Sequence, residues 1–158
     1  MSLVLFRVDD RLIHGQVVIG WGRPLGLTRI VLVDDQVAAS PWEQELYRMA
    51  VPPEIAVAFA TVADAGTELD RWRTSGEPVA VLTSDINTMA ALHAARGDLV
   101  RRVNLGGIHH RPGRVERLRY VYLTDEELEM LHRLARAGAE ITAQDLPSSA
   151  PVPLASLG

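Results

Sequence analysis

Short runs rich in valine and isoleucine recur along this chain with helix-like stretches between most of them, and that alternation confines it to layered α/β folds. The runs cover residues 3–6, 28–34, 55–60, 79–83, 102–105, 115–123 and 140–144. The helix starts between them carry local signals. Ser40-Pro41-Trp42-Glu43 reads as an N-cap, a proline at the first helical position and an early acid, opening a helix that Pro52-Pro53 stops. Further helices are expected over 62–73 and over 85–96, the latter ended by Gly97. Thr124-Asp125-Glu126-Glu127 is a capping box for a last helix reaching about residue 138. Residues 106–113 are too few for a helical crossover, so 115–123 is expected to run antiparallel to a neighbour. A single domain over 1–146 follows, with 147–158, rich in proline, serine and alanine, as an extended tail.

The first run leads straight into Arg7-Val8-Asp9-Asp10-Arg11-Leu12-Ile13-His14-Gly15-Gln16, and Val17-Val18-Ile19-Gly20-Trp21 behind it can open a helix. A potential nucleophile, two carboxylates and a guanidinium therefore share one strand-to-helix turn. Ligands of open α/β sheets gather beyond the carboxyl ends of strands, where helix N-termini also bind anions. A neutral imidazole is a good nucleophile near pH 7, its reference pKa being about 6.5, and it can accept a phosphoryl group on a ring nitrogen. The other nitrogen then needs a partner to fix the tautomer, and Asp9 or Asp10 can supply it. Arg11 and the amides after His14, those of Gly15 and Gln16, offer charge and donors to an incoming dianion. Spacing alone also fits a solvated loop with His14 beside a helix start.

Residues 9–17, with Trp21 after them, resemble the active-site segment of IIB components of the bacterial phosphoenolpyruvate-dependent sugar phosphotransferase system, in its mannose/fructose/sorbose class. The likeness continues through Arg29-Ile30-Val31-Leu32-Val33-Asp34-Asp35-Gln36-Val37-Ala38 and Met49-Ala50-Val51-Pro52-Pro53. It returns at Val103-Asn104-Leu105-Gly106-Gly107 and the basic turn Arg111-Pro112-Gly113-Arg114, in the same order along nearly the whole chain. The resemblance implies a three-layer α/β/α fold on a mostly parallel, seven-stranded open sheet with one antiparallel strand near the C-terminus. It implies a carrier that takes a phosphoryl group on His14 from a phosphohistidine of a IIA protein. The group then passes to a sugar at a IIC/IID membrane permease. Asp10 is expected to orient the His14 ring, Arg11 to stabilise the transferred group, and Gly15 and Gln16 to hold its oxygens. Asp9, Gly107, His109 and Arg111 fall to the rim or to a partner interface. A cytoplasmic protein, held at the inner membrane through its partners and able to dimerise, belongs to the same expectation. Transfer between two nitrogens requires no metal or other cofactor. The alternative is a regulatory sensor that keeps the His14 chemistry but acts on a non-transport partner.

Composition narrows the field. A formal net charge of −4 argues against nucleic-acid binding, and no early apolar segment suggests a signal peptide or membrane insertion. The absence of cysteine excludes disulfides and thiolate metal sites. All 16 basic residues are arginine, which rules out lysine-based Schiff-base or phosphate-loop chemistry. Ser84, just past a strand end, can bond a phosphoryl oxygen or cap the helix that follows. Adjacent His109 and His110 lack an evident third ligand for a metal.

Overall fold

The computed structural model describes residues 2–158. Strand β1, Leu3–Val8, is followed by a π-helical turn over Gln16–Trp21 that passes into α1, Gly22–Leu25. Then come β2 (Arg29–Val33), α2 (Asp35–Ala38), α3 (Pro41–Met49), β3 (Ala56–Ala60), α4 (Ala65–Trp72), β4 (Val79–Thr83), α5 (Ile86–Arg96) and β5 (Arg102–Leu105). The chain closes with β6 (Val115–Leu118), β7 (Val121–Leu123), α6 (Asp125–Arg136), β8 (Glu140–Ala143), β9 (Val152–Pro153) and a 3₁₀ turn over Leu154–Ser156.

Seven strands form one sheet in the order β3-β2-β4-β1-β5-β8-β9, parallel except for β9, which runs against β8. The alternation of strand side chains explains why both faces are covered. Ile30, Leu32, Ala80 and Leu82 point into one core with Val17, Val18, Trp21 and Leu27. Val31, Val33, Val79 and Val81 point into the other, with Leu69, Met89, Leu92 and Leu131 from α4, α5 and α6. The caps form as the sequence indicates: Ser40 accepts from the Glu43 amide, and the Thr124–Glu127 box is complete on both sides.

The antiparallel strand is not where the sequence pattern suggested. Residues 115–123 break at Arg119-Tyr120 into a separate two-stranded hairpin, β6–β7, joined to the rest by an Ile108–Val121 bridge. Only Val121 and Leu123 are fully buried there, so the run has too little apolar face for a strand in the central sheet. The antiparallel role falls to β9, in the segment expected to trail away. Leu154 and Leu157, both buried, pack it against the α6 side of the sheet. Spaced three apart across a 3₁₀ turn, they share one face, a pattern the surrounding prolines obscured. No helix among the described residues is long and apolar enough to cross a membrane.

The connections after β1 and β4, neighbours in the sheet, leave toward opposite faces. The turn over Gln16–Trp21 packs on one core and α5 on the other. This is a topological switch point, and the crevice it opens beyond the carboxyl ends of the strands is a preferred place for ligands.

Candidate phosphoryl-transfer site

The residues of the first loop converge in that crevice. The Asp9 amide donates to the carbonyl of Thr83 (3.0 Å), and the Asp10 amide to that of Gly107 (2.9 Å), pinning the loop between β4 and β5. Leu12 then turns the chain with a φ of +57°, a left-handed conformation rare for a side chain with a Cβ. Its own burial and the Leu12 amide bond to the Asp9 carbonyl (2.9 Å) hold it there, and His14 emerges at the start of the π-helical turn.

Asp9 is the hub. Completely buried, its carboxylate accepts from the Arg11 amide (3.1 Å), Arg11 Nε (3.2 Å) and Nη2 (3.3 Å), the Gly107 amide (3.3 Å) and Arg7 Nη2 (3.5 Å). His14 Nε2 stands 3.3 Å from Asp9 Oδ2, within ion-pair range but out of line for a well-formed hydrogen bond. Burial pushes the Asp9 carboxyl upward. The contacts from His14 and Arg11 more than reverse this and hold it well below the usual carboxylate range, so it is an anion. Nε2 of His14 is itself buried. Nδ1 is therefore the ring nitrogen that reaches solvent.

Asp10, expected to orient His14, faces the other way. Its Oδ1 lies 2.6 Å from His109 Nδ1, and its Oδ2 accepts from the His109 amide at 2.8 Å. Adjacent residues leaving a strand point to opposite sides, which is why one aspartate turns inward and the other to the rim. Arg11, 38% exposed at its side chain, spans from Asp9 to Gln16 Oε1 (3.2 Å) and so lies between the hub and solvent. Gln16 in turn donates to Asp145 Oδ1 (2.7 Å). Among the described residues the Gly15 and Gln16 amides have no protein acceptor, as at any helix start, and no neighbour crowds Gly15.

Ser84 neither caps α5 nor joins the hub. Asp85 is the cap, accepting from the Thr88 amide (2.7 Å), and Ser84 donates to Asp34 Oδ2 (3.0 Å). Arg111 is exposed and engages none of these groups. The His109 and His110 rings turn to different partners, the second packing edge-on against Tyr122 at 5.8 Å.

Sequence reading missed Arg7. Fully buried, it reaches the side chain of Asn104, the Gln144 carbonyl (2.8 Å) and the Asp145 carbonyl (3.2 Å), and lies 4.8 Å from the centre of the Trp21 ring. Burial lowers its pKa against the opposing pull of Asp9 and Asp145. The available signal was an arginine inside an apolar strand run, which has to find an internal partner.

Fold and site together define an open α/β domain carrying a histidine at its switch point, one ring nitrogen turned to a buried carboxylate and the other to solvent. The sequence matches the family described as "PTS system sorbose subfamily IIB component" over residues 3–157, and the chain belongs to that family of phosphotransferase-system components. It is 28% identical over 156 residues to the N-acetylgalactosamine-specific phosphotransferase enzyme IIB component 2 of Escherichia coli (strain K12), covering 99% of this chain and 98% of that one. It is 30% identical over 141 residues to the mannose-specific EIIAB component of the same organism, covering 89% of this chain but spanning only 43% of that protein. The crystal structure of the IIBSor domain of the sorbose permease from Klebsiella pneumoniae superposes with a TM-score of 0.89 at 26% identity, over 99% of this chain and 96% of that one.

Proposed function

We propose that this chain is a phosphocarrier that accepts a phosphoryl group on His14 Nδ1 from a phosphohistidine of a IIA partner. It then passes the group to a sugar at a IIC/IID permease, and it works in the cytoplasm, reaching the membrane only through those partners. The observation that carries the reading is the division of labour on the His14 ring, with Nε2 buried against Asp9 and Nδ1 open. A carboxylate at that position favours the tautomer with its proton on Nε2, leaving a lone pair on Nδ1.

The lone pair forms a new P–N bond while the bond to the donor nitrogen breaks and its electron pair returns to the donor ring. The phosphorylated His14 ring keeps its Nε2 proton and carries a positive charge, which the Asp9 anion neutralises at short range. The out-of-line contact in the free protein tightens as that charge appears. Arg11 Nη2, which bonds Asp9 and Gln16, and the free amides of Gly15 and Gln16 are the donors the loop offers to the phosphoryl oxygens. Transfer onward forms a P–O bond to a sugar hydroxyl, whose proton leaves to solvent, while the P–N bond breaks and its electron pair returns to His14 Nδ1. Most of the catalytic effect is positioning and fixed charge.

The test is to mix the purified protein with a phosphorylated IIA protein and its upstream relay, then follow intact mass and acid lability beside His14→Ala. One acid-labile phosphoryl group, absent in the variant, supports the reading. No gain of mass from two different active donors overturns it.

A further inference from the structure

The dyad of Asp10 and His109 has no part in the chemistry given so far. Asp10 receives both the ring Nδ1 and the backbone amide of His109, so the imidazole is fixed in orientation although its side chain is 55% exposed. Its Nε2 has no protein partner among the described residues and is free to take a proton or to donate one in a hydrogen bond. The direction of the ring can be read at Gly107. A Cβ there would lie 3.0 Å from Arg11 Nη2 and 3.1 Å from His109 Cε1, the carbon between the two ring nitrogens. Guanidinium and imidazole thus converge across a gap no wider than a methyl group, and the glycine keeps that gap open. The same Gly107 donates its amide to Asp9 Oδ2, the oxygen nearest His14 Nε2.

Charge completes the argument. Around His14 the anions Asp9, Asp10 and Asp145 outnumber the cations Arg7 and Arg11, so the cluster is already short of positive charge before a phosphoryl group arrives. A dianion added on His14 deepens that excess of negative charge, and His109, held by Asp10 beside Gly107, has its Nε2 free to gain a proton. The other charged or titratable groups around that ring are His110 and Arg111 beside it in the chain, and Arg114. Arg114 donates to the His109 carbonyl at 2.8 Å and is itself paired with Glu127 of α6.

On the reading that His14 carries the phosphoryl group, we infer that His109, oriented by Asp10, closes the open side of the site. Protonated at Nε2, it donates a hydrogen bond to a phosphoryl oxygen opposite Arg11, so that phosphorylation of His14 takes up a proton from solvent. A charge-assisted bond of this kind is stronger than a neutral one and is present only while the second proton is.

The experiment is the equilibrium of phosphoryl exchange with a phosphorylated IIA donor, measured by intact mass from pH 6 to pH 9, for wild type and His109→Gln. The donor's own titration is common to both and cancels in their ratio. At the acid end, wild type is expected to hold the phosphoryl group more favourably by roughly tenfold. The advantage shrinks toward unity at the alkaline end. Asp10→Asn, which loosens the ring, is expected to reduce the same pH-dependent advantage. A ratio that is constant across pH, whether one or larger, overturns the inference while leaving His14 as the carrier, since a merely structural role has no pH dependence. Failure of the wild type to be phosphorylated at any pH overturns both.

Discussion

Gly106 and Arg7 compete for one volume: a Cβ on Gly106 would overlap the buried guanidinium. The arginine therefore reaches Asp9, Asn104 and the β8 end only because position 106 has no side chain. Gly106→Ala is expected to destabilise the fold by about 1–3 kcal/mol through overpacking, and to slow phosphorylation because Arg7 is pushed off Asp9. Urea unfolding and the rate of phosphoryl uptake check the two effects separately. An alanine variant with full stability and full rate would show that Arg7 relaxes freely.

Asp9 and Asp10 are adjacent in the chain but not equivalent in the site. Asp9→Asn is expected to slow phosphorylation of His14 by about 100-fold or more, since the ring loses both its tautomer bias and the anion that meets its developing charge. Asp10→Asn acts through His109 and is expected to slow it by less than about tenfold. Stopped-flow mixing with a phosphorylated donor gives both rates, and equal losses would mean that the two carboxylates share one role.

Stability should respond to acid through Asp9. Its folded pKa lies below the unfolded value, so its contribution is fully present above that unfolded value, about 4, and is lost as pH falls further toward the folded one. Removing one partner of such a buried pair costs about 3 kcal/mol. Melting temperatures of wild type and Asp9→Asn are therefore expected to differ most near neutrality and to approach each other below about pH 4. A gap that stays constant down to pH 3 would exclude the carboxylate as its origin.

The C-terminal segment is expected to be part of the domain's stability. Leu157, 2% exposed, sits in the core beside α6, and Leu157→Ala is expected to cost about 2–4 kcal/mol. Thermal unfolding measures it. An unchanged midpoint would mean the last residues merely lie against the domain.

What the sequence announced were features with local causes. Ser40-Pro41 and the Thr124–Glu127 box terminate helices through bonds spanning three residues, so they survive as sequence patterns. The paired Val and Ile of β2 and β4 announce strands covered on both faces. The placement of His14 on a strand-to-helix turn was legible for the same reason. The burial of Arg7 and the choice between Asp9 and Asp10 were not, because their partners lie at Asn104, Gly107, Gln144 and Asp145, beyond any local window. Ser84 was misjudged over a single position: α5 begins at Ile86, so Asp85 occupies the cap position, and Ser84 is left to bond Asp34. The hairpin at β6–β7 and the strand at β9 failed for a related reason, their pairing being set by which surfaces the rest of the fold leaves uncovered.

Arg7 fastens residues separated by 137 and 138 positions, the loop that carries His14 at one end and Gln144 and Asp145 at the other. A nascent chain thus carries His14 early but lacks the carbonyls that hold Arg7, and through it Asp9, in place. If His14 is the acceptor proposed above, it becomes competent only after β8 has left the ribosome and paired with β5, so chains that end before Gln144 should draw no phosphate from the relay.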